Sequence, residues 1–420
     1  MSDRKLANEE TFSKPATVDN IQTKLALQFK CLGEECGLTC CNGWNIHIDK
    51  KTHLLYRKSL DPEVKEISKT ALKRDRTEAK NHSTVILKDN GDCPYLDTDK
   101  LCKVQKNLGE KALSHTCSTF PRLYSQRQDT ELGIFLGLDL GCPAAAKNLV
   151  SDEHSTDLVD IPITEAQRVV HDRRILLNST KPEGNVKVNN SINGVFNAIA
   201  RDPEISSFSK YMSMHLVLNN LISNESILGE TSNLFDLAAI YREKAMVFDE
   251  VMVKERNSFR SLEYVVQAAS LHSLTLTKLF QDFVREALDN IKFDPASIGN
   301  STEVFDCAMG LYKSEIKNRN KFEINFLASE ILLRRQASED LRKFEQDLDV
   351  VFMRVAIIRF ISGCLLLERK KLTDDELALI VATTCRTVVF GKKGATQIIL
   401  EKRFKQTGDK LATFGILLNA

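Results

Sequence analysis

At 420 residues, 42% hydrophobic and 27% charged, the chain is long enough for two or three domains and too apolar to remain disordered. Its formal net charge of +1 leaves no global field to gather nucleic acid or an anionic membrane, so no nucleic-acid partner is expected. With 18 Gly and 9 Pro, a fibrous or low-complexity repeat is excluded.

The first twenty residues are polar and lack the apolar core of a secretory signal. That points to the cytoplasm, a reducing compartment in which disulfides rarely persist. IQTKLALQFK (21–30) reads as a short helix or strand. Residues 1–150 form a cysteine-rich module, in which TVILK (84–88) and LGIFLGLDL (132–140) have the alternation of strands and are candidates for one hairpin. A connecting region follows over 151–198, with a capping-box pattern at Thr164 and Gln167 and an Asn/Gly/Ser-rich loop over 178–194.

From 199 to 420 the pattern is helical. Apolar residues recur at three-to-four spacing in 212–222, 235–255, 261–291, 322–335, 341–369 and 374–390. Thr373, followed by Asp374, Asp375 and Glu376, marks a helix start. The most apolar run, VFMRVAIIRFISGCLLL (351–367), carries Arg354 and Arg359 and is short for a bilayer span. It is expected to be a buried helix, with no membrane insertion. The expected fold is mainly α: a small, loop-rich cysteine-cluster N-terminal module followed by an α-helical domain.

Eight of the eleven cysteines lie between Cys31 and Cys142, and CLGEECGLTCC alone holds Cys31, Cys36, Cys40 and Cys41. Cys93, Cys102, Cys117 and Cys142 complete the set. Soft thiolates select zinc or iron–sulfur clusters over hard cations. The C-x2-C knuckles of structural zinc sites are absent, and long uneven spacings with Cys-Pro at 93–94 and 142–143 suit an iron–sulfur cluster. Zinc and metal-free redox thiols stand behind it as alternatives. Adjacent side chains diverge, so Cys40 and Cys41 are not expected to serve one atom. His47, His53 and His115 are secondary candidate ligands, and Trp44 is expected to pack over the site. Cys307, Cys364 and Cys385 sit in helical apolar patterns and read as core thiols.

These segments carry a resemblance. FKCLGEECGLTCCNGWNIHIDKKTHLLY, CPYLDTDKLCKVQKNLGEKALSHTCSTFPRLY and LDLGCPAAAK, in that order, resemble the bacterial flagellin lysine-N-methylases. INFLASEILLRR and LIVATTCRTVVF are similar to later segments of that family. The resemblance implies N-methylation of lysine side chains on flagellin, with S-adenosylmethionine as donor. It also implies an iron–sulfur cluster, of 4Fe-4S type, bound by cysteines of the N-terminal module. Carried over, the metal-ligand candidates are Cys31, Cys36, Cys40, Cys41, Cys93, Cys102, Cys117 and Cys142.

Such chemistry needs a proton acceptor, because a lysine amine of pKa ~10.4 is neutral in only about one molecule in a thousand at neutral pH. Tyr95, Tyr124 and Asp139 are the candidates, with Asp97 and Asp99 beside them, and Arg122 is the candidate for the donor's carboxylate. No G-x-G-x-x-G follows a strand, and GKKGAT (391–396) is too short and basic to replace it. The donor site is therefore expected to be unlike a Rossmann pocket. A non-catalytic metal-binding scaffold and an iron–sulfur electron-transfer protein are the alternative functions.

Overall fold

In the computed structural model, the described residues are 21–36, 38–42, 46–75, 81–126, 134–161, 186–223, 232–254, 258–273, 277–337, 341–389 and 410–418. The segment read as helix or strand is both. Thr23 closes β1 (Ile21–Thr23) and caps α1 (Lys24–Leu27), its hydroxyl accepting from the Ala26 N–H at 3.2 Å. Asp49 and Asp61 cap α2 (Lys50–Arg57) and α3 (Pro62–Ala71) in the same way, at 3.0 and 2.8 Å.

Two small sheets hold this region. β2 (His47–Ile48), β4 (Ser83–Val85) and β3 (Leu72–Arg74) form one, in the order β2-β4-β3, all antiparallel. The other has the order β5-β6-β1-β7, with β5 Arg122–Gln126, β6 Ile134–Leu138 and β7 Leu158–Asp160. TVILK supplies β4 and LGIFLGLDL supplies β6, but in different sheets, so the expected hairpin between them does not form. Each finds an antiparallel partner nearer in sequence: β4 pairs with β3, and β6 with β5. Short helices α4 (Lys103–Leu108), α5 (His115–Thr119) and α6 (Pro143–Ser151) complete the region.

The remainder is helical: α7 (Val186–Arg201), α8 (Ser207–Ser223), α9 (Ser232–Lys254), α10 (Ser258–Ser273), α11 (Lys278–Asn290), α12 (Ile298–Glu315), α13 (Phe322–Ala337), α14 (Leu341–Leu366), α15 (Asp374–Val389) and α16 (Lys410–Leu418). The fold is mainly α, as expected. Thr373 and Glu376 form a full capping box at the start of α15, each side chain bonding the other's N–H at 2.8 and 3.2 Å. The run 351–367 lies in α14 up to Leu366, where the helix ends, and is buried to that point, with Arg354 paired to Glu330 and Arg359 to Glu323. Among the described residues no helix is long and apolar enough to cross a membrane.

Three helical expectations differ. The loop expected over 178–194 gives way to α7 from Val186, because Ile192, Val195, Phe196 and Ile199 bury one face and outweigh the local Asn preference for turns. The single run 261–291 is divided between α10 and α11, which restarts after an extended Thr277. Helix α12 was not expected; its core face is Phe305, Ala308, Met309 and Tyr312. The Thr164–Gln167 capping box and 391–396 lie outside the described residues.

Packing divides the core in two. A small cluster gathers Ile46, Ile48, Tyr56, Val64, Val85, Tyr95 and Val104. The large one joins β6 and α6, through Leu136, Leu138 and Ala144–Ala146, to the helices. At its closest point α14 meets α12 at Gly363, where a Cβ would lie 2.6 Å from the Ala308 carbonyl oxygen and 2.7 Å from Met309 Cε. The Ala308 backbone cannot give way, so Gly363→Ala is expected to cost ~1–3 kcal/mol. Urea unfolding should show a lower midpoint with an unchanged slope.

Candidate functional site

Main-chain hydrogen bonds, rather than regular structure, gather the cysteines. The Cys93 N–H donates to the Cys41 carbonyl at 2.7 Å, and Asn42 bridges to Asp92 beside it. Leu96 pairs with Cys102, and the Lys103 N–H donates to Tyr95 O at 2.8 Å, which folds the 93–103 loop onto itself. Ser114 caps α5 through the Cys117 N–H, and Thr116 Oγ1 ties that helix to His47 O at 3.0 Å. Cys41, Cys93, Cys102 and Cys117 thereby reach one place.

They line one cavity together with Cys40. The remaining wall is mainly apolar and aromatic, with Ile46, Ile48, Val85, Val104, Leu113, Phe120, Tyr56 and Tyr95, and Gln105 and Ser114 also line it. Cys40 and Cys41 do not diverge as expected. The Cys41 N–H donates to Thr39 Oγ1 at 3.1 Å, the chain bends at 40–41, and both residues line the cavity. Cys31, Cys36 and Cys142 stand outside that lining. Cys31 is exposed, Cys36 donates to Leu38 O at 3.1 Å, and Cys142 is buried at the start of α6.

The thiols are not equivalent. Contact with Cys41 holds Cys40 down to about 7 and Cys102 down to about 6, the latter helped by the N–H groups of Gln105 and Val104. The same two contacts push the Cys41 thiol up, so it keeps the proton between them. Burial pushes Cys93, Cys117 and Cys142 up to about 12 and raises Cys36. Thiols in an apolar wall are donors of the soft type. Among the described residues no group of three or more Cys, His, Asp or Glu side chains is arranged to hold a metal ion.

A second observation concerns Tyr95. It is 3% exposed, its ring lies 5.5 Å from that of Tyr56, and its hydroxyl has no hydrogen-bond partner among the described residues. Tyr56, by contrast, donates to Ala112 O at 2.9 Å. A lone hydroxyl in a thiol-ringed cavity is a donor awaiting an acceptor. With nothing bound, Tyr95→Phe is expected to stabilise the chain by ~1 kcal/mol. Urea unfolding measures this, and a loss of similar size would mean that the hydroxyl is satisfied.

The other candidates are accounted for locally. Asp97 accepts from the Asp99 and Leu101 N–H groups at 2.9 and 2.8 Å and from Lys106 at 3.2 Å, which shapes the loop before Cys102. Asp99 is exposed, 3.9 Å from Lys106. Asp139 accepts from the Gly141 N–H at 2.7 Å and so shapes the turn into Cys142. Arg122 stacks over Phe29 at 4.9 Å. Tyr124 stands opposite Leu136 in β5; its side chain, like Trp44, lies outside the described residues. His47 pairs with Asp75 at 3.1 Å and His53 with Ser83 at 2.9 Å, while His115 opens α5. Cys364 and Cys385 are buried as expected, whereas Cys307 is exposed because its neighbours Phe305 and Ala308 take the core face of α12.

Sequence reading missed Arg386, from α15, whose guanidinium reaches Thr39 O and Gly141 O at 2.7 Å each. Its signal was an arginine inside the apolar run LIVATTCRTVVF.

Comparison with known proteins gives relatives over part of the chain. It is 34% identical over 169 residues to a protein named Lysine-N-methylase from Salmonella typhimurium (strain LT2), covering 37% of each chain. The same figures hold for a Lysine-N-methylase of Salmonella choleraesuis (strain SC-B67). The Flagellar biosynthetic protein FliU of Salmonella muenchen is 37% identical over 150 residues, 34% of this chain and 79% of FliU. The match therefore spans little more than a third of the methylases' own length. No family model and no solved structure matches the chain.

Proposed function

The chain belongs to the family of the lysine-N-methylases and the flagellar biosynthetic protein FliU, and on that premise we propose that it methylates lysine side chains of flagellin. S-adenosylmethionine is the proposed methyl donor, and a 4Fe-4S cluster is the proposed resident group. The observation that carries the cofactor reading is the apolar cavity with five thiols on its wall and the unpartnered Tyr95 hydroxyl inside it. Four of the five thiols of Cys40, Cys41, Cys93, Cys102 and Cys117 would hold the cluster, with Tyr95 as a hydrogen-bond donor toward it.

In the transfer, the neutral lysine nitrogen forms the N–C bond as the donor's C–S bond breaks, the electron pair leaving with sulfur. The methylated nitrogen then gives up its proton. Bringing the amine to its neutral form costs roughly 4 kcal/mol at neutral pH, which makes a dry site with an acceptor necessary. Iron, when bound, supplies either an anchoring position for the donor's amino and carboxylate groups or a structural staple. Arg122 remains the proposed partner of the donor carboxylate, two residues from Phe120 on the cavity wall.

The test uses the full chain, purified anaerobically and loaded with iron and sulfide, given methyl-labelled S-adenosylmethionine and flagellin. Label on flagellin lysines, located by mass spectrometry, is expected. A cluster-loaded chain that labels no flagellin sinks the reading, and reversible reduction without transfer would favour electron transfer instead.

A further inference from the structure

Arg386 lies 348 positions after Leu38, yet the two are hydrogen-bonded. It is 8% exposed, and its guanidinium makes three bonds, all to main-chain carbonyls: Nε to Gly141 at 2.7 Å, Nη1 to Thr39 at 2.7 Å and Nη2 to Leu38 at 3.3 Å. These carbonyls flank the cysteines. Leu38 follows Cys36 by two positions, Thr39 precedes Cys40, and Gly141 precedes Cys142. Gly141 also leaves room for the arginine stem, since a Cβ there would stand 3.0 Å from Arg386 Cγ.

Carbonyls satisfy the N–H groups but carry no full charge, and a guanidinium does not lose its proton at any working pH. A buried cation of this kind favours an anion beside it. Burial pulls the Arg386 guanidinium below its ordinary value, and Cys40, Cys142 and Cys36 would oppose that shift where they are thiolates. Helix α15 packs on α6, the helix that Cys142 opens, so the cation is held in place by the large core.

We propose that Arg386 is a positioning residue of the cysteine centre: it fixes the 38–39 loop, and with it Cys40 of the cavity, to the 141 turn before Cys142, around one buried positive charge. The centre is thus completed by a helix from the far end of the chain. Its charge role rests on the thiolate-bound cluster proposed above; its positioning role does not.

The experiment compares the full chain with its Arg386→Met and Arg386→Lys variants, the fold of each checked by circular dichroism. In metal-free protein, hydrogen exchange followed by mass spectrometry is expected to speed up roughly tenfold or more around Cys40 and Cys142 in both variants, since neither substitute can make the three-pronged bond. After loading with iron and sulfide, the midpoint potential of Arg386→Met should move to more negative values, while Arg386→Lys, which keeps the charge, should stay near wild type. Unchanged exchange in the variants overturns the positioning role, and equal potentials for wild type and Arg386→Met overturn the charge role. Should the methionine variant fail to fold, the lysine variant alone decides positioning. A wild-type chain that takes up no iron or sulfide defeats the cluster reading instead, and the exchange result still decides Arg386.

Discussion

Glu323→Ala is expected to remove ~3–5 kcal/mol of stability, enough to unfold a marginal domain. The reason lies in what converges on that carboxylate. Arg359 donates to it through Nη2 at 2.6 Å and Nε at 3.1 Å, Tyr312 donates at 2.8 Å, and the Ser207 hydroxyl also bonds it. Arg359 continues to Leu418 O at 2.7 Å, so the network ties α8, α12, α13, α14 and α16. Alanine would leave a guanidinium buried without its anion, and the desolvation cost of that charge dominates the loss. Replacing Glu323 and Arg359 together by methionine should recover much of it, because the orphaned charge goes too. Chemical unfolding of the three proteins measures this; a double variant no more stable than Glu323→Ala would show that the hydroxyl contacts, not the charge, carry the network.

The same carboxylate sets an acid limit. Burial alone would push Glu323 up, but the Arg359 guanidinium and its hydrogen bonds hold it down at about 2. A carboxyl lower in the folded than in the unfolded chain contributes stability that is full above the ordinary Glu range. That contribution is lost as pH falls from about 4.5 toward 2. The double methionine variant should lack this part of the acid transition.

What the sequence made legible were the features carried by local pattern. The apolar spacing of α8, α9, α13, α14 and α15 and the Thr373 cap state their helices within one stretch of chain. Helix α12 and the start of α7 were hidden because their apolar residues alternate with Asn, Ser and Thr, and burial of Phe305, Ala308 and Tyr312 in α12 and of Ile192, Val195 and Phe196 in α7 decides them. The strands were visible but not their partners. β1 and β6 pair across more than a hundred residues, which no local pattern encodes.

The site divides in the same way. Eight cysteines announced themselves by composition, and the soft-donor chemistry followed. Which of them share a cavity depends on loop contacts such as Cys93 N–H to Cys41 O, and on the bend that Thr39 makes at Cys40 and Cys41. Asp97 and Asp139 looked like candidate bases because they stand near cysteines; in the fold both accept loop N–H groups. Arg386 could not be assigned from sequence, because an arginine in an apolar helix says only that something polar must meet it.

Cys102→Ser should abolish iron and sulfide uptake and lower methyl transfer to flagellin by more than ~100-fold, with little change in folding stability. Serine keeps the size of the side chain and its place before α4, so the Leu96–Cys102 pairing and the Lys103-to-Tyr95 bond survive. What it removes is a sulfur donor whose pKa is held below the ordinary thiol value by Cys41 and the first N–H groups of α4. A serine hydroxyl does not ionise there and binds iron poorly. Cys307→Ser, on the exposed face of α12, is the matched control and should retain wild-type iron content and transfer. Because the serine variant keeps the fold, a loss of iron without unfolding separates ligation from structural damage. Wild-type iron content in Cys102→Ser would remove Cys102 from the centre. Loss of iron with methyl transfer intact would leave the cluster a structural staple and place the chemistry elsewhere.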